Sequence, residues 1–294
     1  MPNVLITGIA GFTGAYLADL LRARGYSVSG IAHGVHSEEE HIYRCDLLDR
    51  SGLAEVVGEV KPDYVVHLAA IAFVAHGDAD AMYRTNVVGT RNLLQAVAES
   101  GHIPRCILLA SSANIYGNTA IDPLTETVAP SPANDYAVSK VAMEYMASLW
   151  MSRLPITLVR PFNYTGVGQS TNFLLPKMVD HFKSGAREIE LGNLDVARDF
   201  SDVRTVVDTY ARLLDVEPTG EVFNVCSGDA VTLRDAISIL ERIAGYQIDV
   251  KVNPAFVRAG DVKYLRGSNE KVRSRIGELK AISLAETLQW MYEA

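Results

Sequence analysis

The apolar residues of this chain fall in short runs, separated by longer stretches in which apolar and polar positions recur at helical spacing. Residues 4–6, 28–31, 64–68, 106–109 and 156–159 are short, mainly apolar runs, the pattern of strands buried on both faces. Between them, residues 13–24, 51–60, 81–99 and 135–153 place apolar side chains three and four apart and predict helices. Strands apolar on both faces need helices packed on each side, which makes the sheet parallel. The predicted fold class is α/β, a doubly wound parallel sheet.

After Arg160-Pro161 the rhythm changes. A Gly-rich, polar connection over residues 163–172 precedes a helix at 174–184, a short strand at 188–191, a helix at 203–216 and a strand at 221–225. That last strand reads like one more core strand. The expected division is a first domain of residues 1–163 with a return segment at about 203–226, and a smaller C-terminal α/β domain from residues 164–202 and 227–294.

Composition narrows the functional classes. With 48% hydrophobic and 21% charged residues in 294, disorder and fibrous folds are excluded. A formal charge of −8, from 27 basic and 35 acidic side chains with no basic run, argues against a nucleic-acid partner. No apolar stretch approaches the roughly 20 residues of a membrane span, and Met1-Pro2-Asn3 lacks the basic flank of a signal peptide. A soluble, cytoplasmic protein is expected. Cys45, Cys106 and Cys226 are odd in number and far apart, so buried free thiols are expected rather than disulfides or a metal site.

The first strand leads into Thr7-Gly8-Ile9-Ala10-Gly11-Phe12-Thr13-Gly14 and then a helix. Glycines at 8, 11 and 14 permit a tight turn and close backbone approach to a pyrophosphate, and the helix N-terminus adds N–H donors and positive potential. Tyr136 and Lys140 stand four apart on a predicted helix and so share a face. A phenol of pKa about 10 is a poor acid or base near neutrality; a neighbouring ammonium is expected to lower it. Ser112, in Ser111-Ser112-Ala113-Asn114-Ile115-Tyr116, follows a predicted strand at the edge where open α/β sheets bind ligands.

The GxxGxxG spacing, the Tyr136-Ala137-Val138-Ser139-Lys140 segment and Ser112 four residues before Tyr116 together resemble the extended short-chain dehydrogenase/reductase superfamily, in its nucleotide-sugar branch. The resemblance covers essentially the whole chain. It implies a Rossmann-like fold whose smaller domain closes over the substrate, with Ser112, Tyr136 and Lys140 catalytic. It assigns to the cofactor Gly8, Gly11, Phe12, Thr13, Gly14, Asp46, Leu47, Leu68, Ala69 and Ala70, with Tyr136, Lys140 and Pro161 at the nicotinamide end. Asn86-Val87-Val88-Gly89-Thr90 matches the family's helix motif. The strand at 28–31 ends in Ala32-His33-Gly34, with no carboxylate before Glu38. An NAD-preferring protein usually places an acid there, so NADP(H) is favoured over NAD(H), with His33 beside the 2′-phosphate.

The segment 191–200 is similar to that of the reductases and dehydratases of GDP-mannose-derived sugars, and implies that Leu191, Gly192 and Asn193 meet the nucleotide while Arg198 meets the diphosphate. Arg258 and Asp261 are expected nearby, together with Asn163, Asn172 and Lys177, and Ser112 and Asn114 at the sugar. Asn172 also suits a helix N-cap. Tyr164 stands where these relatives usually carry His. Dehydratases place a Glu two residues after the catalytic Ser or Thr; here Asn114 stands there, which leaves elimination without a base. The resemblance implies reduction of the 4-keto group of GDP-4-dehydro-6-deoxy-D-mannose to GDP-D-rhamnose, with a 4-epimerase, or a reductase of opposite C4 configuration, as the alternative. A homodimer through a four-helix bundle of the helices at 81–99 and 135–153 is implied as well.

Overall fold

The structure, a computed structural model, describes residues 1–34, 41–72, 77–194, 196–254 and 262–294. Its strands in chain order are β1 (Asn3–Thr7), β2 (Ser27–Ala32), β3 (Ile42–Arg44), β4 (Tyr64–His67), β5 (Cys106–Ala110), β6 (Ile156–Pro161) and β7 (Asn163–Thr165). There follow β8 (Glu188–Leu191), β9 (Ala197–Asp202), β10 (Val222–Val225), β11 (Ala230–Thr232), β12 (Asp249–Val252) and β13 (Tyr264–Leu265). The helices are α1 (Phe12–Ala23), α2 (Arg50–Val60), α3 (Ala79–Tyr83), α4 (Thr90–Glu99), α5 (Asp135–Ser148), α6 (Leu174–Lys183), α7 (Val203–Val216), α8 (Leu233–Ala244), α9 (Glu270–Ile276) and α10 (Leu284–Glu293).

Seven strands form one sheet in the order β10-β6-β5-β4-β1-β2-β3, every pair parallel. Side chains alternate across it as strand geometry demands. Val4, Ile6, Val28, Val66 and Leu108 pack against α1 and α7, whereas Leu5, Ile31, Val65, Ile107 and Leu109 pack against α2, α4 and α5. Each fully buried side chain of this size stabilises the fold by roughly 1.5–3 kcal/mol. The fold is thus Rossmann-like α/β, with the strand order reversing between β1 and β4. A crevice opens at such a switch point, outside the carboxyl ends of the strands.

Two predicted helices differ from their sequence pattern. Residues 81–99 are not one regular helix, because a π turn (Arg84–Gly89) separates α3 from α4. Within this turn the buried Asn86 side chain accepts from Ile71 N at 2.9 Å and donates to Ile71 O at 3.1 Å. The helix predicted to 153 stops at Ser148, with Leu149 as its C-cap, and residues 150–154 continue as turns. The short β3 lies outside the predicted runs, and β7 lies inside the stretch read as a connection.

The remaining elements pack beside the large sheet. β9 pairs with β7, β11 and β13, and β8 with β12. α6, α8 and α10 bury Leu175, Met178, Phe182, Leu240 and Leu288 against one another. α8 and α10 both begin with capping boxes, Thr232 with Asp235 and Ser283 with Glu286. Cys45, Cys106 and Cys226 are buried free thiols. None of the described helices is long and apolar enough to cross a membrane.

Candidate active site

The glycine turn is built for close approach. Gly8 has φ +73°, and a Cβ there would lie 2.9 Å from Ala69 N, so this residue must be glycine on both counts. A Cβ on Gly14 would lie 2.2 Å from Gly8 O. Gly11 is the N-cap of α1 and offers no side chain to it, so the first N–H groups of the helix face the turn. This cradle, with Phe12 and Thr13 opening the helix, fits the pyrophosphate of a dinucleotide.

The residues expected at the adenosine lie at the end of β2, on β3 and in the turn after β3. Asp46 is half-exposed and accepts from Leu48 N at 2.9 Å, while Leu47 is buried against Gly89. His33 is exposed, with Nδ1 3.8 Å from Asp46 Oδ2. The register pairs Ala32 with Arg44, which brings an exposed guanidinium to the end of β2. Sequence reasoning missed Arg44, since only the pairing of β3 shows where it stands. Glu38 lies outside the described residues.

Leu68, Ala69 and Ala70 leave β4 along the glycine turn, and a fixed chain of hydrogen bonds holds them. Ala69 N donates to Thr7 Oγ1 at 3.2 Å, and Thr7 Oγ1 meets His67 Nδ1 at 2.6 Å. His67 Nε2 meets Thr90 Oγ1 at 2.8 Å, and Thr90 donates to Asn86 O at 2.7 Å. Thr90 has only one hydroxyl proton, so His67 donates from Nε2 and accepts at Nδ1. Burial pushes the His67 pKa down to about 3, with the Lys140 charge adding to the effect. Asn86 Nδ2 also donates to Ser139 Oγ at 3.0 Å, tying this chain to α5.

The structure brings Ser112, Tyr136 and Lys140 together. Ser112 starts a 3-10 turn (Ala113–Tyr116) at the carboxyl end of β5, and its Oγ accepts from Asn114 N at 3.1 Å and Asn114 Nδ2 at 3.2 Å. Asn134 caps α5 and sets Tyr136 and Lys140 on its buried face. Tyr136 hydrogen-bonds Ser112. Lys140 Nζ donates to Ala110 O at 2.8 Å and lies 6.0 Å from the Tyr136 ring centroid. The electrostatics correct one expectation. Burial holds the Tyr136 pKa up at about 12, the Ser112 hydrogen bond acts against it, and Tyr164 raises it further. Lys140 is itself pushed down to about 8 by burial, against the charge of Glu144. Among the protein's own groups, desolvation outweighs the Ser112 hydrogen bond, and Tyr136 stays a protonated phenol at neutral pH.

Pro161 ends β6, and Asn163 opens β7 with Nδ2 3.5 Å from Asp199 O. Tyr164 stacks on Phe12 at 6.2 Å between ring centroids, and its hydroxyl meets Thr13 Oγ1 at 2.8 Å, so it is fastened to the glycine turn. Asp199 is buried and takes Ser227 N at 2.8 Å and Gly228 N at 2.9 Å, which fixes the loop after β10 to β9. Arg198, on the opposite face of β9, donates from Nη1 to Ala197 O at 3.0 Å. Leu191 ends β8, and Gly192 and Asn193 form the turn after it. Lys177 on α6 donates to Glu190 O at 3.2 Å. Asn172 is exposed and does not cap α6, because Phe173 takes the N-cap position. Arg258 and Asp261 lie outside the described residues. A cavity of about 460 Å³ lined by Ser201, Cys226, Asn269 and Lys280 includes none of the predicted site residues and is separate from this cleft.

Comparison with known proteins points the same way. A family model described as GDP-mannose 4,6 dehydratase matches residues 5–291. The GDP-6-deoxy-D-talose 4-dehydrogenase of Aggregatibacter actinomycetemcomitans is 35% identical, over 99% of this chain and 97% of its own. The GDP-6-deoxy-D-mannose reductase of Pseudomonas aeruginosa is 33% identical, over 98% and 95%. Among solved structures, a candidate epimerase from Burkholderia cenocepacia J2315 has a TM-score of 0.94 at 50% identity, covering 99% of this chain and 97% of that one. RMD from Pseudomonas aeruginosa, solved in complex with NADPH, has a TM-score of 0.88 at 31% identity, covering 100% and 98%.

Proposed function

The chain belongs to the GDP-mannose 4,6-dehydratase family, and we propose that within it this enzyme is an NAD(P)H-dependent 4-ketoreductase of GDP-4-dehydro-6-deoxy-D-mannose, forming GDP-D-rhamnose. The observation that carries the reading is the convergence of Ser112, Lys140 and a Tyr136 phenol held protonated by burial. A ketone that gains hydride at carbon needs a proton at oxygen, and a protonated phenol in a desolvated site is the group to give it.

The bound nicotinamide supplies the hydride. Tyr136 donates its proton to the developing alkoxide, and Ser112 holds the same oxygen through its hydroxyl. Pre-aimed donors of this kind are worth about 2.7–4 kcal/mol each in dry sites. Lys140, fixed by the Ala110 carbonyl, keeps positive charge beside the phenol and holds the nicotinamide ribose. Asn114, in place of a carboxylate, positions Ser112 and supplies no base, which favours reduction over elimination. The cofactor rests on Gly8, Gly11, Phe12, Thr13 and Gly14. Arg44 and His33 at the end of β2 favour the 2′-phosphate of NADP(H). Arg198 supports the sugar nucleotide's diphosphate as a guanidinium fork.

Two relatives favour a second reading: the name of the talose 4-dehydrogenase points to the opposite C4 configuration, and that of the Burkholderia structure to an epimerase. Incubation with GDP-4-dehydro-6-deoxy-D-mannose and NADPH or NADH, followed by NMR of the product, separates the readings. Stoichiometric NADPH oxidation with a rhamno-configured C4 is expected. A talo product overturns the stereochemistry, and turnover without net cofactor oxidation overturns the reductase.

A homodimer is part of the proposal. Val138, Tyr145 and Leu149 recur at helical spacing along α5 and its C-cap and stay 38%, 67% and 77% exposed, and Val88 in the π turn is 43% exposed. An apolar stripe left open along a helix supports pairing with a second copy.

A further inference from the structure

One tyrosine that the mechanism above does not use is bonded into the glycine turn from outside the large sheet. Tyr164 lies on β7, which pairs with β9. Its ring stacks on Phe12 with 6.2 Å between centroids and 13° between planes, and its hydroxyl meets Thr13 Oγ1 at 2.8 Å. The backbone around it is held as well. Gln169 Nε2 donates to Tyr164 O at 3.2 Å, and Tyr16, about one turn after Thr13 on α1, donates to Val167 O at 2.7 Å. Tyr16 in turn packs edge-on against Phe12, at 5.5 Å between centroids, and against Trp290 of α10 at 6.1 Å. Two phenols thus join the start of α1 to β7 and the loop after it.

Stacking alone does not call for the hydroxyl, since a phenylalanine would make the same stack. The count of protons gives the hydroxyl a use. Thr13 and Tyr164 carry one hydroxyl proton each and share one hydrogen bond, so one proton is left over. Among the described residues neither hydroxyl has a second hydrogen-bond partner. The phenol, with an ordinary pKa of about 10, is the more acidic of the two and the better donor, and burial keeps its proton in place. Tyr164 therefore donates and Thr13 accepts. The proton left over is the threonine's, on a half-buried side chain in the first turn of α1, where the N–H groups of the helix are also free. A bound anion enforces the same choice, because phosphate oxygens only accept: once Thr13 donates to one, its oxygen must take its second bond from Tyr164.

We propose that Tyr164 is a positioning residue for cofactor binding, its hydroxyl donating to Thr13 Oγ1 and so turning the Thr13 proton toward the cradle, where a pyrophosphate oxygen accepts it. The inference rests on the placement of the pyrophosphate in the glycine turn and is independent of which sugar is reduced. The anion gains a charge-assisted hydrogen bond in addition to those from the backbone N–H groups. Its donor is aimed before the ligand arrives, so less rotor freedom is lost on binding. A hydroxyl that already accepts one hydrogen bond is also polarised to donate a stronger one.

The test is fluorescence titration of the full-length, cofactor-free protein with NADPH, with a melting curve for each variant to establish that it is folded. Tyr164→Phe, which keeps the stack on Phe12, is expected to weaken binding about threefold to tenfold, the range of one hydrogen bond. The same factor is expected for NADH, which shares the pyrophosphate. Thr13→Val is expected to weaken binding at least as much, whereas Thr13→Ser, which keeps the hydroxyl, is expected to stay near wild type. Tyr164→Phe combined with Thr13→Val is expected to bind no more weakly than Thr13→Val alone, because Tyr164 acts through Thr13. Additive losses, or a folded Tyr164→Phe that binds as tightly as wild type while Thr13→Val does not, overturn the inference alone. Wild-type affinity in both Thr13→Val and Gly14→Ala would instead overturn the placement of the pyrophosphate, and the inference with it. Should Tyr164→Phe not fold, neutron diffraction of the wild type with NADPH decides the same point: a Thr13 proton directed at Tyr164 instead of at a pyrophosphate oxygen overturns the inference.

Discussion

At the residue scale, the site is governed by desolvation. A lysine four residues from a tyrosine suggests a depressed phenol, and the sequence carries that suggestion at 136 and 140. Packing reverses it, because Tyr136 and Lys140 are both buried and each is pushed toward its neutral form. For reduction this is the useful arrangement, with the proton already on the phenol. Lys140 then sets the alkaline limit. As pH rises through about 8 the ammonium loses its proton, so kcat/KM is expected to fall above that value while Tyr136, near 12, does not yet titrate. A profile flat to pH 10 would contradict this. No local pattern foretells such burial, nor the pairing of Glu144 with Arg160 across 16 positions.

At the element scale, what the sequence made legible was whatever depends on close spacing. Gly8, Gly11 and Gly14 announce a turn because each glycine answers a steric need within that same short stretch and its packing on Ala69. Gly14→Ala would place a methyl 2.2 Å from Gly8 O. Overpacking of this kind costs typically 1–3 kcal/mol, so a Tm several degrees lower and strongly weakened NADPH binding are expected; calorimetry and fluorescence titration check both. Elements set by distant partners were not legible. The π turn at Arg84–Gly89 carries an Asn86 that bonds Ile71 fifteen positions away, and Arg44 gains its place from the pairing of β3 with β2. Tyr164, inside a stretch that reads as connection, is a strand residue fastened to Thr13.

At the scale of the whole molecule, the −8 charge sits uneasily with anionic ligands until charge is considered locally. In the proposed reading, the N-terminus of α1, Lys140, Arg44 and Arg198 would supply positive potential to the ligands inside a negative surface. The exposed stripe on α5 bears on assembly. Tyr145→Glu combined with Leu149→Glu would place two charges on it, and light scattering is expected to show a monomer where the wild type is a dimer. A monomeric wild type would remove the dimer from the proposal.

The central claim, that Tyr136 gives the proton in ketone reduction, is tested most directly by Tyr136→Phe, which removes one hydroxyl from a ring whose packing stays. Fluorescence titration is expected to show NADPH bound about as tightly as in the wild type. Reduction of GDP-4-dehydro-6-deoxy-D-mannose is expected to slow by about 10²–10⁴-fold, the usual worth of a general acid. Turnover of the 4-keto sugar by this variant at the wild-type rate would contradict the account.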